Sequence, residues 1–272
     1  MEKAIIYQIF TRLFGNTNTT RKHNGTLTDN GCGKLNAFTP AVLRRIKELG
    51  ATHVWYTGVI RHATTTDYTR YGIPRQHPAV VKGNAGSPYA ITDYYDIDPD
   101  LATNVEKRMN EFESLVKRTH KAGLKMIIDF VPNHVARQYK STAKPKGIAD
   151  FGENDNTGMQ FSPQNNFYYC PEQSFAADID LYHGEELPYE EFPAKATGND
   201  CFGNRPGRND WYETVKLNYG VDYCDAGGVS THFSPTPDTW KKMLDILLFW
   251  AGKGVDAFRC DMAEMVPSAF WQ

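Results

Sequence analysis

Short apolar runs alternate along the chain with stretches of helical spacing. Ala4 to Phe10 is apolar and rich in β-branched and aromatic residues, and predicts a buried strand. Thr39-Pro40 predicts a helix start, with Thr as cap and Pro at the first helical position. Leu43, Ile46 and Leu49 mark its apolar stripe and Gly50 its end. His53 to Val59 predicts a second strand. Val105, Met109, Phe112 and Val116 recur at helical spacing and predict a second helix, closed by Gly123. Leu124 to Val131 then predicts a third strand. Thr236-Pro237 predicts the start of a third helix, striped by Trp240, Leu244, Leu247 and Leu248 and ended by Gly252, with Phe249 and Trp250 as packing residues. Val255 to Asp261 predicts the fourth strand.

Between the third strand and the third helix, residues of about 135–235 show no dominant period and are rich in Asn, Gly, Pro and aromatics. The stretch is too long for a simple loop and predicts an inserted subdomain. Strand and helix alternating, with long connections only after strands, predicts a parallel α/β protein. It favours a (β/α)8 barrel, whose functional groups sit at the C-terminal ends of its strands. A doubly wound sheet is the rival. No G-x-G-x-x-G follows the first strand, so a nucleotide-binding sheet loses ground. Only four strand–helix units are legible where a closed barrel needs eight. Pro267 to Gln272 reads as the start of a further crossover helix. The expectation is therefore that residues 1–272 are the N-terminal part of a barrel domain, truncated after its fourth strand.

Composition narrows the partners. The formal charge of -2, from 30 basic and 32 acidic residues, gives no electrostatic reason to expect nucleic acid or an anionic membrane. No apolar run approaches the roughly 20 residues needed to span a bilayer. The N-terminus runs directly into a strand-like segment, without a signal peptide's apolar core and cleavage site. A mature chain would look the same, so the compartment stays open. Five cysteines cannot all pair, and none forms a C-x-x-C, which argues against a disulfide scaffold or zinc site. Cys260 reads as a small buried residue.

Two polar clusters interrupt the apolar strands. Asp129-Phe130-Val131-Pro132-Asn133-His134 ends the third strand, where polar side chains either satisfy loop backbone or build a site. In the fourth strand, Arg259 and Asp261 are two residues apart and share a face. A charged pair inside a barrel is costly unless matched, so Arg259 is expected to hold Asp261 ionised and oriented, as a carboxylate nucleophile requires. A plain buried ion pair is the bland alternative.

D-x-x-x-N-H ending one strand and F-R-x-D ending the next, on either side of a large insertion, resembles the α-amylase family of glycoside hydrolases. Ser87 to Pro99 resembles the family's segment after the second strand, and Thr119 to Lys125 its helix leading into the third. The resemblance runs over essentially the whole chain. It implies Asp261 as nucleophile of a retaining glycosidase acting on α-glucosidic linkages of starch-like or malto-oligosaccharide glycans, with Arg259 as its neighbour. It also implies that His134 contacts the sugar, that Tyr89 stacks beneath it, and that Asp129 supports the constellation at the substrate site. Asn133 matches a position that binds structural calcium in many members; Asp178, Asp180 and Asp200 in the insertion are possible further ligands. Two departures stand out. Glu264 and Met265 occupy the places of a Lys-His pair, which puts a starch-type specificity in doubt, and Ser87-Pro88 stands before Tyr89 where many members carry Gly.

A retaining glycosidase needs a second carboxylic acid about 5–5.5 Å from the nucleophile. The resemblance implies a Glu ending a fifth strand, beyond Gln272, so the chain alone is expected to be inactive; Glu264 reads as a solvated or capping residue. A transglycosylase and a non-catalytic binding relative are the alternatives. Among the insertion's aromatics, Phe167, Tyr168, Tyr169, Trp211 and Tyr212 are expected mostly in a local core, with some forming a wall over the cleft.

Overall fold

The protein is described here as a computed structural model, covering residues 3–177, 188–225 and 227–272. Four strands form one all-parallel sheet: β1 (Ile6–Phe10), β2 (His53–Thr57), β3 (Lys125–Phe130) and β4 (Ala257–Cys260), side by side in chain order. Successive strands are joined through helices α1 (Pro40–Glu48), α2 (Arg108–Lys121) and α3 (Asp238–Gly252). Side chains alternate between the two sheet faces. One face sets Ile9, Val54, Tyr56, Met126, Ile128 and Phe130, each at most 5% exposed, into a core shared with Leu43, Phe112, Leu115, Met243, Ile246 and Trp250. The other carries Trp55, Asp129 and Arg259.

The helix starts follow local chemistry in one case and depart from it in another. Thr39 caps α1, its hydroxyl accepting from Val42 N at 3.3 Å. At α3 the expected Thr236 cap gives way to Pro237, which has no side-chain cap bond. The expected stripe of α3 is also turned: Leu244 and Leu248 are exposed, and the buried face is Thr239, Lys242, Met243, Ile246 and Trp250. Lys242 reaches Asp150 O and Asn166 Oδ1, both at 2.8 Å. The inserted segment thus claims one side of the helix and fixes its rotation. Leu49, expected in the stripe of α1, is the exposed C-cap residue. Gly50 and Gly123 turn the chain with φ of 87° and 71°, which favours glycine. Gly252 stays helical, and the left-handed turn falls at Gly254.

The first strand is not the buried one that its composition suggests. Ile5, Ile6, Tyr7 and Phe10 are exposed and only Ile9 is covered, because β1 lies at an edge of the described sheet. The four residues of β4, Cys260 included, are half-buried at the other edge. After β2 the chain forms an antiparallel pair from Ile60–His62 and Ile91–Ile97. Past β3, three short antiparallel pairs follow: His134–Ala136 with Thr214–Lys216, Tyr169–Cys170 with Ala194–Lys195, and Val221–Asp222 with Ser230–Thr231. Among the described residues no helix is long and apolar enough to cross a membrane.

Candidate active site

Parallel register puts Arg259 opposite Asp129. These two charges, from neighbouring strands, begin the site. Asp129 is almost fully buried, and both its oxygens are held: Trp55 Nε1 donates to Oδ1 at 3.1 Å and Gly58 N to Oδ2 at 2.9 Å. Arg259 Nη1 lies 3.8 Å from Asp129 Oδ1 and donates a short hydrogen bond to Asp261 Oδ1. The guanidinium also lies over the rings of Trp55 and Tyr89, at 5.3 and 5.4 Å from their centroids. Asp261 itself is anchored by its amide, which donates to Phe130 O at 2.8 Å.

Asp261, Tyr89 and His134 line one cavity of about 250 Å³, with Lys82, Ser87, Trp211, Glu213, Thr214 and Met262. Asp129, Arg259 and Asn133 are not in its lining. The structure therefore brings together three of the six expected site residues at the cavity surface and leaves the other three outside its lining. Asp129, expected to support the constellation at the substrate site, lies 3.8 Å from the Arg259 guanidinium. Met262, directly after Asp261, has a left-handed φ of 50°, a costly conformation for a bulky residue, and it turns the chain sharply behind the carboxylate.

Burial works against the charges here. It pushes the Asp129 carboxyl up to about 6, with Gly58, Arg259 and Trp55 pulling the other way. Asp261 is also raised, first by burial, then opposed by its hydrogen bond to Arg259. Arg259 thus counters the desolvation of Asp261 without cancelling it. His134 is driven down to about 3 by burial and by the cations Lys216 and Lys82, so its imidazole is neutral.

The tautomer of His134 follows from its neighbours. Lys216 Nζ donates to Asn133 Oδ1 at 2.5 Å, and Asn133 Nδ2 donates to Gly198 O at 2.7 Å, which fixes the amide orientation. The same Nδ2 lies 3.1 Å from His134 Nδ1. An amide nitrogen only donates, so Nδ1 accepts and the ring proton sits on Nε2. The ring also hydrogen-bonds to the backbone of Tyr89. Gly198 is required at this approach, since a Cβ there would stand 2.8 Å from His134 Cβ.

These contacts also test the expected calcium site. Asn133 Oδ1 is taken by an ammonium, and Lys216 Nζ also reaches Asp200 Oδ1 at 2.7 Å. Calcium needs six to eight oxygens at about 2.3–2.6 Å and cannot share them with a cation in the same place. Among the described residues no three His, Cys, Asp or Glu side chains gather to hold a metal ion. Asp178 and Asp180 lie outside the described residues. The donor set around Asn133 does not fit calcium.

Sequence reasoning missed Lys82, Glu213, Trp55 and Lys216. Lys82 Nζ pairs with Glu213 Oε1 at 3.0 Å on the cavity wall. Lys216 carried a readable signal, a lysine flanked by Val215 and Leu217 in an extended run. Of the insertion's aromatics, Phe167, Tyr168 and Tyr169 are buried, whereas Trp211 lines the cavity with its ring 5.3 Å from that of His134. Glu264 is exposed, in a 3-10 turn of Ala263–Met265.

The family model for the alpha amylase catalytic domain matches residues 8–270. The trehalose-6-phosphate hydrolase of Bacillus subtilis is 25% identical over 265 residues, covering 97% of this chain and 36% of that protein. Maltase A2 of Drosophila melanogaster is 24% identical over 270 residues, covering 96% and 35%. The chain thus spans about a third of the length of these relatives. Among solved structures, an alpha-amylase from Lactobacillus plantarum superimposes with a TM-score of 0.54 at 24% identity, covering 98% of this chain and 40% of that one.

Proposed function

Since this chain belongs to the α-amylase family, we propose that it carries the nucleophile of a retaining glycoside hydrolase acting on α-glucosidic linkages of starch-like or malto-oligosaccharide glycans. The observation that supports this most is Asp261: a largely buried carboxylate at a strand end, bound through one oxygen to Arg259 and opening into a cavity walled by Tyr89, His134 and Trp211. We read the four-stranded sheet as part of a (β/α)8 barrel, with residues of about 135–235 as its inserted subdomain. The all-parallel strand order supports that reading.

In this mechanism a glucosyl unit lies on the Tyr89 ring, whose apolar face matches the sugar's axial C–H groups. A carboxylate oxygen of Asp261 attacks the anomeric carbon, the glycosidic C–O bond breaks, and a covalent glycosyl–enzyme forms. Arg259 orients the attacking group and offsets its desolvation. His134, neutral with its proton on Nε2, borders the sugar without adding charge. The departing oxygen needs a proton from a second carboxyl group. Glu213, the other carboxylate lining the cavity, pairs with Lys82 through Oε1 and leaves Oε2 buried without a hydrogen-bond partner among the described residues, and Glu264 is exposed. We assign the proton donor to neither and expect it from outside these 272 residues.

A fluorinated glucosyl fluoride, which forms the intermediate faster than water releases it, tests the proposal in the full-length protein. Mass spectrometry of the digested protein should find one glycosyl group on the peptide containing Asp261, and NMR should show retained anomeric configuration. A label on another carboxylate, or an inverted product, would overturn the assignment.

A further inference from the structure

Lys216 ends the strand Thr214–Lys216, opposite His134 in the antiparallel register, and is 2% exposed. A buried ammonium is costly unless oxygens surround it. Three do: Asn133 Oδ1 at 2.5 Å, Asp200 Oδ1 at 2.7 Å and Met265 O at 3.3 Å. They come from three separate stretches, namely the loop after β3, the inserted segment, and the turn that follows the nucleophile's strand.

We propose that the Lys216 ammonium is a built-in cation that does the work of a divalent metal at this junction, so that assembly of the cleft is independent of calcium. The donor types are an amide oxygen, a carboxylate and a backbone carbonyl, which are the hard oxygens that calcium selects. Their charge is suited to a monocation, because among the described residues the carboxylate of Asp200 is the only anion that contacts Nζ. A divalent ion there would be under-neutralised and would have to expel the ammonium from its oxygens. The side chain is tethered by its own strand, so the cation is never lost to dilution or to a chelator. The backbone is shaped to present the oxygens. Asp200 takes a left-handed φ of 64°, in a turn where its amide donates to Thr197 O at 3.2 Å. Leu217 N donates to Asn133 O at 3.0 Å, which holds the loop after β3 against the strand of Lys216.

Thermal denaturation of the full-length protein tests this, in EDTA and in millimolar calcium chloride. The wild type should melt within about 1 °C in the two solutions, because a ligand that does not bind the native state does not stabilise it. Lys216→Met should lower Tm by on the order of 10 °C, by leaving buried oxygens without a cation. Lys216→Asp adds a carboxylate to the three oxygens, and part of its lost Tm should return in calcium but not in EDTA. A calcium-dependent rise in the wild-type Tm, a Lys216→Met variant as stable as wild type, or a Lys216→Asp variant indifferent to calcium would each overturn the proposal. If the variants do not fold, calorimetric titration of the wild type decides: calcium binding that Asn133→Ala abolishes overturns it, and its absence supports it.

Discussion

Arg259 and Asp261 stand two residues apart on one strand and are joined by a short hydrogen bond from Nη1 to Oδ1, while the same nitrogen lies 3.8 Å from Asp129. One cation therefore serves two carboxyl groups whose burial raises both of them.

Replacing Arg259 by Lys should lower kcat/KM of the full-length protein by roughly 100-fold, about 3 kcal/mol, because a single ammonium does not reproduce the planar guanidinium that spans Asp129, Asp261 and the two rings. Asp261 attacks only when ionised. Arg259 opposes the effect of burial, so Arg259→Ala should move the acid limb of the pH profile to higher pH. An unchanged limb would show that Arg259 does not set the ionisation of Asp261.

Asp129 and His134 should bend the stability profile in opposite directions. A carboxyl raised to about 6 from 3.8 binds a proton more readily in the folded state. Its burial penalty is fully present above about pH 6 and is relieved as pH falls from 6 towards 4. A histidine lowered to about 3 from 6.5 does the reverse, because the unfolded chain gains a proton that the folded one refuses. Stability should fall from its contribution as pH drops below 6.5. NMR titration should find the Asp129 carboxyl half-ionised near pH 6 and the His134 ring neutral at pH 5. A normal aspartate titration, or a charged ring at pH 5, would contradict the burial described.

Trp250 is fully buried, its Nε1 donates to Tyr94 O at 2.8 Å, and its ring meets Phe112 edge-on at 5.3 Å. Trp250→Ala should cost about 3–5 kcal/mol by opening a cavity. Trp250→Phe should cost less, since it keeps part of the packing and loses the hydrogen bond. Denaturant melts of the two variants that showed equal, small losses would argue against this packing.

Purified residues 1–272 should hydrolyse α-glucosides no faster than their Asp261→Asn variant, because Glu213, the carboxyl group that shares the cavity lining with Asp261, is ion-paired with Lys82 and poorly suited to give up a proton. Turnover well above that control would show that a carboxyl group within these residues serves as the acid.

The order of strands and helices and the polar strand ends were legible in the sequence, because each rests on nearest-neighbour chemistry. The Thr39 cap needs only Val42 three residues on. Arg259 and Asp261 share a face because a strand has a period of two. What required the tertiary structure was any choice made between segments distant along the chain. Which side of α3 is buried depended on Asn166 and Asp150 holding Lys242, not on the Leu244 and Leu248 stripe. The exposure of Ile6 and Tyr7 followed from the position of β1 in the sheet, which its own residues do not encode. The charge at the expected metal position was likewise decided across 83 residues, where Lys216 reaches Asn133. Local pattern sets what a segment can become; burial, pairing and pKa belong to the partners that folding brings to it.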